Sequence, residues 1–185
     1  MLNKTQLITG AAALRDFFAS INANDIHAAA DSISRVFTIP LDPATLWIDV
    51  EYEFNRLFVG PAAVPAPPYA SAYLNEPTLM GSPAMEMRNA YRRLGLTVPN
   101  PNATPDDHLS FELDAYIAIE SLAQEDADGG ILKKWLVCEH MNGWVPLFVE
   151  AVRRLLDVSA PITMAIDALS LWLVHAISDA DALEA

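Results

Sequence analysis

The chain has 185 residues, 52% of them apolar, and carries a formal net charge of −13, an excess of acid that disfavours nucleic acid because phosphates would be repelled. Its one cysteine, Cys138, excludes an internal disulfide and gives no sign of an oxidising compartment. A chain of this length and apolar content can bury one core, so a single domain over residues 1–185 is expected.

Apolar residues recur at helical spacing from the start. Leu7, Ala11, Leu14 and Phe18 form one stripe; Ile26, Ala30, Ile33 and Phe37 form a second. The apolar stretch Leu7 to Leu14 runs straight into Arg15-Asp16 with no small-residue cleavage site, which argues against a signal peptide. Asp42-Pro43, a cap followed by proline, predicts a third helix through Leu46, Val50, Phe54 and Leu57 that Gly60-Pro61 stops.

The next stretch is loop by chemistry yet apolar by composition. Prolines at 61, 65, 67 and 68 remove backbone donors and push their predecessors toward extended geometry. A stiff segment bearing Tyr69 and Tyr73 must pack on its own core or line a groove for another chain. The uncharged run from Leu57 to Asn75 is long enough to span a bilayer, but its prolines would leave backbone groups unsatisfied in lipid. Ala168 to Ser178 is read as too short, so a soluble protein is expected.

Ser82-Pro83 opens a short helix from Met85 to Leu94 that Gly95 ends. A second proline-rich connection, Val98 to Ala103, leads to Thr104-Pro105-Asp106-Asp107, read as a helix start. That helix passes through Leu109, Leu113, Tyr116 and Ile117 to about Glu125, where Asp128-Gly129-Gly130 breaks it. Further helices fit Ile131 to Met141, Trp144 to Leu156 and Pro161 to Ile177. No alternating strand survives, so the expected fold class is all-α.

Asp106, Asp107 and His108 form the densest titratable cluster near a loop. Acids there satisfy a helix N-terminus and offset its dipole. The same carboxylates and imidazole beside a groove would bind a guanidinium bidentately or respond to pH near neutrality. Cys138, Glu139 and His140 offer metal-ligand types, but positions two apart on a helix point about 200° away from each other. Cys138 therefore reads as a buried structural cysteine, and His27 and His175 as packed or surface residues. No phosphate-binding loop, nucleophile elbow or metal motif is present, and no cofactor is expected. Trp144, Phe148 and Trp172 read by default as core. Residues 104–185 carry fifteen acids against four bases, so the charge is concentrated in the second half. That concentration either keeps the surface solvated or suits a basic partner.

Three runs in order carry a resemblance: Arg56-Leu57-Phe58-Val59-Gly60-Pro61 with Pro65-Ala66-Pro67-Pro68-Tyr69, then Pro105-Asp106-Asp107-His108-Leu109, then His140-Met141-Asn142-Gly143-Trp144. Over roughly residues 45–155 the chain resembles the TorD/DmsD/NarJ redox-enzyme maturation chaperones, and its first run looks most like the DmsD branch. The resemblance implies a helical cytoplasmic chaperone with no catalysis, a TorD-like bundle with a long proline-rich loop. It would bind the twin-arginine leader, and the body, of a molybdopterin oxidoreductase until cofactor insertion is complete, without entering the membrane, as a monomer or domain-swapped dimer.

Carried over by position, the peptide-binding residues would be Leu57, Phe58, Pro67, Pro68, Tyr69, Tyr73, Asp106, Asp107, His108 and Trp144. Tyr69-Ala70 stands where relatives often have Trp-Gly, and Asp106 where they have Glu. A NarJ-like assembly factor for an enzyme without an exportable leader is the alternative within the family. From a different class, a metal- or nucleotide-dependent enzyme centred on Asp106, Asp107 and His108 is the competing reading.

Overall fold

Asn3 starts the first helix by a closed exchange: its side chain accepts from the Gln6 amide at 2.9 Å, and the Gln6 side chain accepts from the Asn3 amide at 3.1 Å. Helix α1 (Lys4–Phe18) follows, then α2 (Ala23–Phe37), capped by the Asn22 side chain. After these come α3 (Trp47–Phe54), α4 (Ser82–Arg93), α5 (Leu109–Leu122), α6 (Ala127–Lys134), α7 (Asn142–Arg153) and α8 (Ala160–Asp181). The computed structural model describes residues 2–61, 63–74, 81–98, 104–122 and 127–182. Within them the fold is all helical, with one isolated antiparallel bridge between Tyr69 and His108.

The stripes read from the sequence face inward. Leu7, Ala11, Leu14 and Phe18 of α1 are buried, as are Ile26, Ala30 and Ile33 of α2, and α1 packs most extensively on α5 and α2. Phe17, Phe18, Phe54, Phe58 and Phe148 meet edge to face or tilted, at centroid separations of 5.1–5.9 Å. Trp172 of α8 donates its indole N–H to the Leu7 carbonyl at 2.9 Å, so this bulky buried ring leaves no donor unpaired. Lys133 is buried in α6, with its ammonium on Glu120 of α5 and 2.5 Å from Asp179 of α8.

Several expected helix boundaries differ, among them the start of α5, which is Leu109 rather than the Thr104-Pro105 run. Asp42-Pro43 does not open α3: Asp42 Oδ1 accepts from the Ala44 amide at 2.8 Å and its carbonyl from the Thr45 amide at 3.1 Å, which closes a turn before the helix starts at Trp47. Gly129 and Gly130 lie inside α6 rather than breaking a helix, and the buried Leu132 and Lys133 tie that short helix to its neighbours. Residues 99–103, most of the second proline-rich connection, lie outside the described residues, as does the expected end of α5 near Glu125.

Two segments widen into π-helix: Asn55–Val59 directly after α3, and Trp135–Met141 directly before α7. Gly60, at φ 99°, closes the first by donating to the Asn55 carbonyl at 2.9 Å. Consecutive residues Leu57 and Phe58 both reach the core there, while Arg56 stays exposed.

Helix α8 extends well beyond the run Ala168 to Ser178, which by itself is too short to span a bilayer. At 22 residues it is long and apolar enough to cross a membrane by length and composition, with mean hydropathy 1.5 over an 18-residue window. More than half of that window is buried in the protein, including Leu169, Trp172 and Leu173.

Candidate functional site

The proline segment is extended because its residues cannot be otherwise, and it finds partners at the start of α5. Ala66 donates to the Leu57 carbonyl at 3.2 Å. Leu109 donates to the Pro68 carbonyl at 2.9 Å, and Ala70 to the Asp107 carbonyl at 3.1 Å. A proline carbonyl can still accept, so Pro68 serves as one half of a bridge that needs no proline donor. A short 3₁₀ turn over Ala70–Ala72 then brings the Ser71 amide to 2.6 Å from Asp107 Oδ2.

The acids of the second motif are therefore not caps of α5. Asp106 is buried, its carboxylate against the Arg88 guanidinium of α4 and its carbonyl accepting from Tyr91 Oη at 2.7 Å. Asp107 is fully buried. Its Oδ1 is a buried acceptor with no hydrogen-bond partner among the described residues, a condition shared by Ser71 Oγ and Tyr73 Oη. The helix is capped by His108: Nδ1 accepts from the Ser110 amide at 3.1 Å, with Ser110 Oγ 2.7 Å away, and its carbonyl accepts from the Phe111 and Glu112 amides. Burial lowers the His108 pKa from 6.5 to about 4, and an accepting Nδ1 requires the neutral ring.

Behind this joint lies a second polar cluster. Glu112, on the same stripe of α5 as Leu109 and Tyr116, is completely buried. His140 Nε2 donates to its Oε1 at 2.7 Å and Trp144 Nε1 to its Oε2 at 3.0 Å. Burial pushes the Glu112 pKa up against the pull of His140. Burial alone would lower the pKa of His140, but the Glu112 carboxylate, with Glu86 and Asp107 adding to it, leaves it raised. Tyr73 stacks on Trp144 at 5.9 Å and 23°, which connects the proline segment to this cluster. The spacing of Glu112 from Leu109 and Tyr116 was the available signal that an acid sits on the buried face of α5; nothing local pointed to Arg88, Tyr91 or Ser71.

The structure brings Pro68, Tyr69, Asp106, Asp107 and His108 together, with the Tyr69 and His108 rings at 4.9 Å. Leu57, Phe58, Pro68 and Trp144 are buried rather than exposed groove walls: the π-helical widening turns Leu57 and Phe58 inward, the bridge to Leu109 holds Pro68, and the bond to Glu112 holds Trp144. Pro67, Tyr69 and Tyr73 keep part of their surface exposed. Asp106, Asp107 and His108 are buried, so none offers an open guanidinium site in this conformation.

Cys138 is half-exposed rather than buried, its Sγ 3.8 Å from Asp181 Oδ1, and burial together with that carboxylate raises its pKa. His27 stacks on Trp47 at 4.3 Å, and His175 is half-buried on α8. Among the described residues no three His, Cys, Asp or Glu side chains are grouped to hold a metal ion.

Residues 11–150 match the family described as nitrate reductase delta subunit. The chain is 27% identical over 149 residues to the chaperone protein TorD of Vibrio parahaemolyticus, which spans 76% of this chain and 69% of that protein. It is 30% identical over 109 residues to TorD of Vibrio cholerae O395, covering 56% of this chain and 50% of the relative. Against the Tat proofreading chaperone DmsD of Salmonella typhi it is 30% identical over 100 residues, 52% of this chain and 46% of that one. A crystal structure from Archaeoglobus fulgidus, described as a redox enzyme maturation protein, superposes at a TM-score of 0.60 over 92% of this chain and 95% of its own, at 16% identity. That likeness confirms the helical fold alone. The match across residues 11–150 and the named relatives place this chain in the TorD/DmsD/NarJ family of redox-enzyme maturation chaperones.

Proposed function

We propose that the chain acts as one cytoplasmic chaperone unit that binds the twin-arginine leader of a molybdopterin oxidoreductase and holds it until the cofactor is inserted and export can begin. The observation that carries this reading is Asp107: a fully buried acid with one oxygen tied to the proline segment at Ser71 and the other without a partner among the described residues. A charge in that position is costly unless it is fully paired, so the joint is predisposed to exchange its internal bond for a charged donor. A guanidinium supplies several donors in a planar fork and would satisfy both oxygens of Asp107. The leader's apolar body would lie along Pro67, Tyr69 and Tyr73, which are partly exposed beside it. A segment stiffened by four prolines loses little freedom when it binds.

Relatives named as chaperones, one of them a Tat proofreading chaperone, support this reading over the competing enzyme. The matched family's own description, a nitrate reductase subunit, favours a second reading in which the client is a non-exported enzyme's N-terminus. Calorimetry with a twin-arginine leader peptide tests the first. Binding is expected, and it should weaken at least about tenfold when both arginines become alanine or when Asp107 becomes asparagine. Binding indifferent to the arginines would remove the leader reading.

A further inference from the structure

A groove of about 600 Å³, lined by none of the residues of the Asp107 joint, lies between the Asp42 turn, α3 and the connection from Asp157 to Pro161 that leads into α8. Buried Val50 lines it, and Leu46 and Tyr52 line it while 68% and 70% exposed, leaving large apolar side chains in water. Four carboxylates line the same groove, those of Asp42, Asp49, Glu53 and Asp157, against the one guanidinium of Arg56.

Not all of these charges are available. Both Glu53 oxygens accept from the Ser159 amide, at 3.2 and 3.1 Å, which fastens the connection into α8 to α3. Arg56 already lies 3.7 Å from Glu53 Oε1. Asp49 and Asp157 are exposed and form no ion pair among the described residues. Asp157 is held at φ 58°, a left-handed conformation that aspartate adopts more readily than most residues. Ser159 also lines the groove, and its Oγ is buried without a hydrogen-bond partner among the described residues.

We infer that this groove docks a cationic peptide segment in which an apolar side chain adjoins lysine or arginine, at a site separate from the Asp107 joint. The excess of carboxylates selects the sign of the partner, and the apolar rim selects a peptide over a small hydrated cation, which gains nothing from Leu46 and Tyr52. A second copy of this chain is a poor occupant, since its net charge of −13 would be repelled, and an anionic lipid surface is excluded on the same ground.

The probe is a fluorescein-labelled peptide of about ten residues with two separated arginines, each flanked by leucine, in a serine-alanine background. Fluorescence anisotropy at low salt should show binding that weakens at least about tenfold in Asp49→Asn/Asp157→Asn. Tyr52→Ser should weaken it comparably, while both variants keep the wild-type thermal midpoint because the residues are exposed. Asparagine tolerates the left-handed backbone at 157, so a folding defect is not expected there. The loss caused by Asp49→Asn/Asp157→Asn should persist in full when it is measured in an Asp107→Asn background, which separates the site from the leader reading. The inference is overturned if the wild type fails to bind the probe below about 1 mM, if the double asparagine variant binds as tightly, or if a peptide with glutamate for arginine binds equally.

Discussion

The Ser71 amide donates to Asp107 Oδ2 across 36 positions of sequence, and with the bridges at Pro68 and Ala70 it fastens the proline segment to the start of α5. Loss of that acceptor leaves a buried N–H unsatisfied. Asp107→Ala should therefore cost about 1–3 kcal/mol in urea unfolding, and Asp107→Asn, which keeps an acceptor oxygen, less. Hydrogen exchange supplies the local reading: the Ser71 amide should lose more protection in the alanine variant than amides in the middle of α8, which follow the global loss alone. Unchanged protection at Ser71 would show that the bond does not hold the joint.

Tyr91 makes a second tie to the same turn, from Oη to the Asp106 carbonyl. Tyr91→Phe keeps the buried ring and removes only the donor, so a loss of about 1 kcal/mol is expected. Chemical denaturation of the two proteins at one pH measures it. A phenylalanine variant as stable as the wild type would mean the carbonyl finds another donor.

Much of this fold could be read from the chain, and the parts that could not share a cause. The stripes of α1 and α2 were legible because their partners lie within the helix period: Leu7, Ala11, Leu14 and Phe18 reveal a buried face without knowledge of what covers it. Gly95 was legible as a helix stop because its φ of 67° is a local demand. Asp106 and Asp107 misled for the opposite reason. A threonine-proline-acid run is a good local cap, but here the acids were taken by Arg88, Tyr91 and Ser71, at 18, 15 and 36 positions' distance, and His108 took over the cap. The π-helical segments leave no trace in composition, so Leu57 and Phe58 were expected at a groove wall instead of in the core. Glu112 was visible in principle as an acid on an apolar stripe, but only the fold shows His140 and Trp144 meeting it.

The two buried histidines should give stability opposite slopes with pH. His108 titrates at about 4 when folded and 6.5 when free, so the unfolded chain takes up its proton first as pH falls. Stability should then drop by about 3 kcal/mol between pH 6.5 and 4, with little contribution from this residue above 6.5. Asparagine keeps a capping acceptor without titrating, so His108→Asn should flatten this limb in urea unfolding measured across the range. A wild-type acid limb that persists unchanged in the variant would assign the loss to other groups.

His140 works in the other direction. Its folded pKa is raised, so its stabilising charge on Glu112 is fully present below pH 6.5 and is lost as pH rises through the folded value. Glu112→Gln removes the carboxylate that holds this proton. It should lower the His140 pKa, followed by NMR of the ring protons, and erase the fall in stability above pH 6.5. It should also cost about 1–3 kcal/mol below that pH, because Trp144 and His140 lose a charged acceptor. A His140 titration that does not move would mean that Glu112 is not its electrostatic partner.

The end of α2 offers a test in the stabilising direction. Thr38 terminates the helix at φ 57°, where a β-branched side chain is strained, and its amide donates to the Ser34 carbonyl in the manner usual for glycine. Thr38 is exposed, so its side chain contributes little packing to offset that strain. Thr38→Gly relieves the left-handed backbone but gains disorder in the unfolded chain, and these oppose each other at about 1–2 and 0.5–1 kcal/mol. The difference favours glycine by about 0.5–1 kcal/mol, read as a higher urea midpoint at unchanged slope. Thr38→Val retains the branched side chain at the same φ and should show no gain, so equal stabilisation by valine would refute relief of strain as the cause.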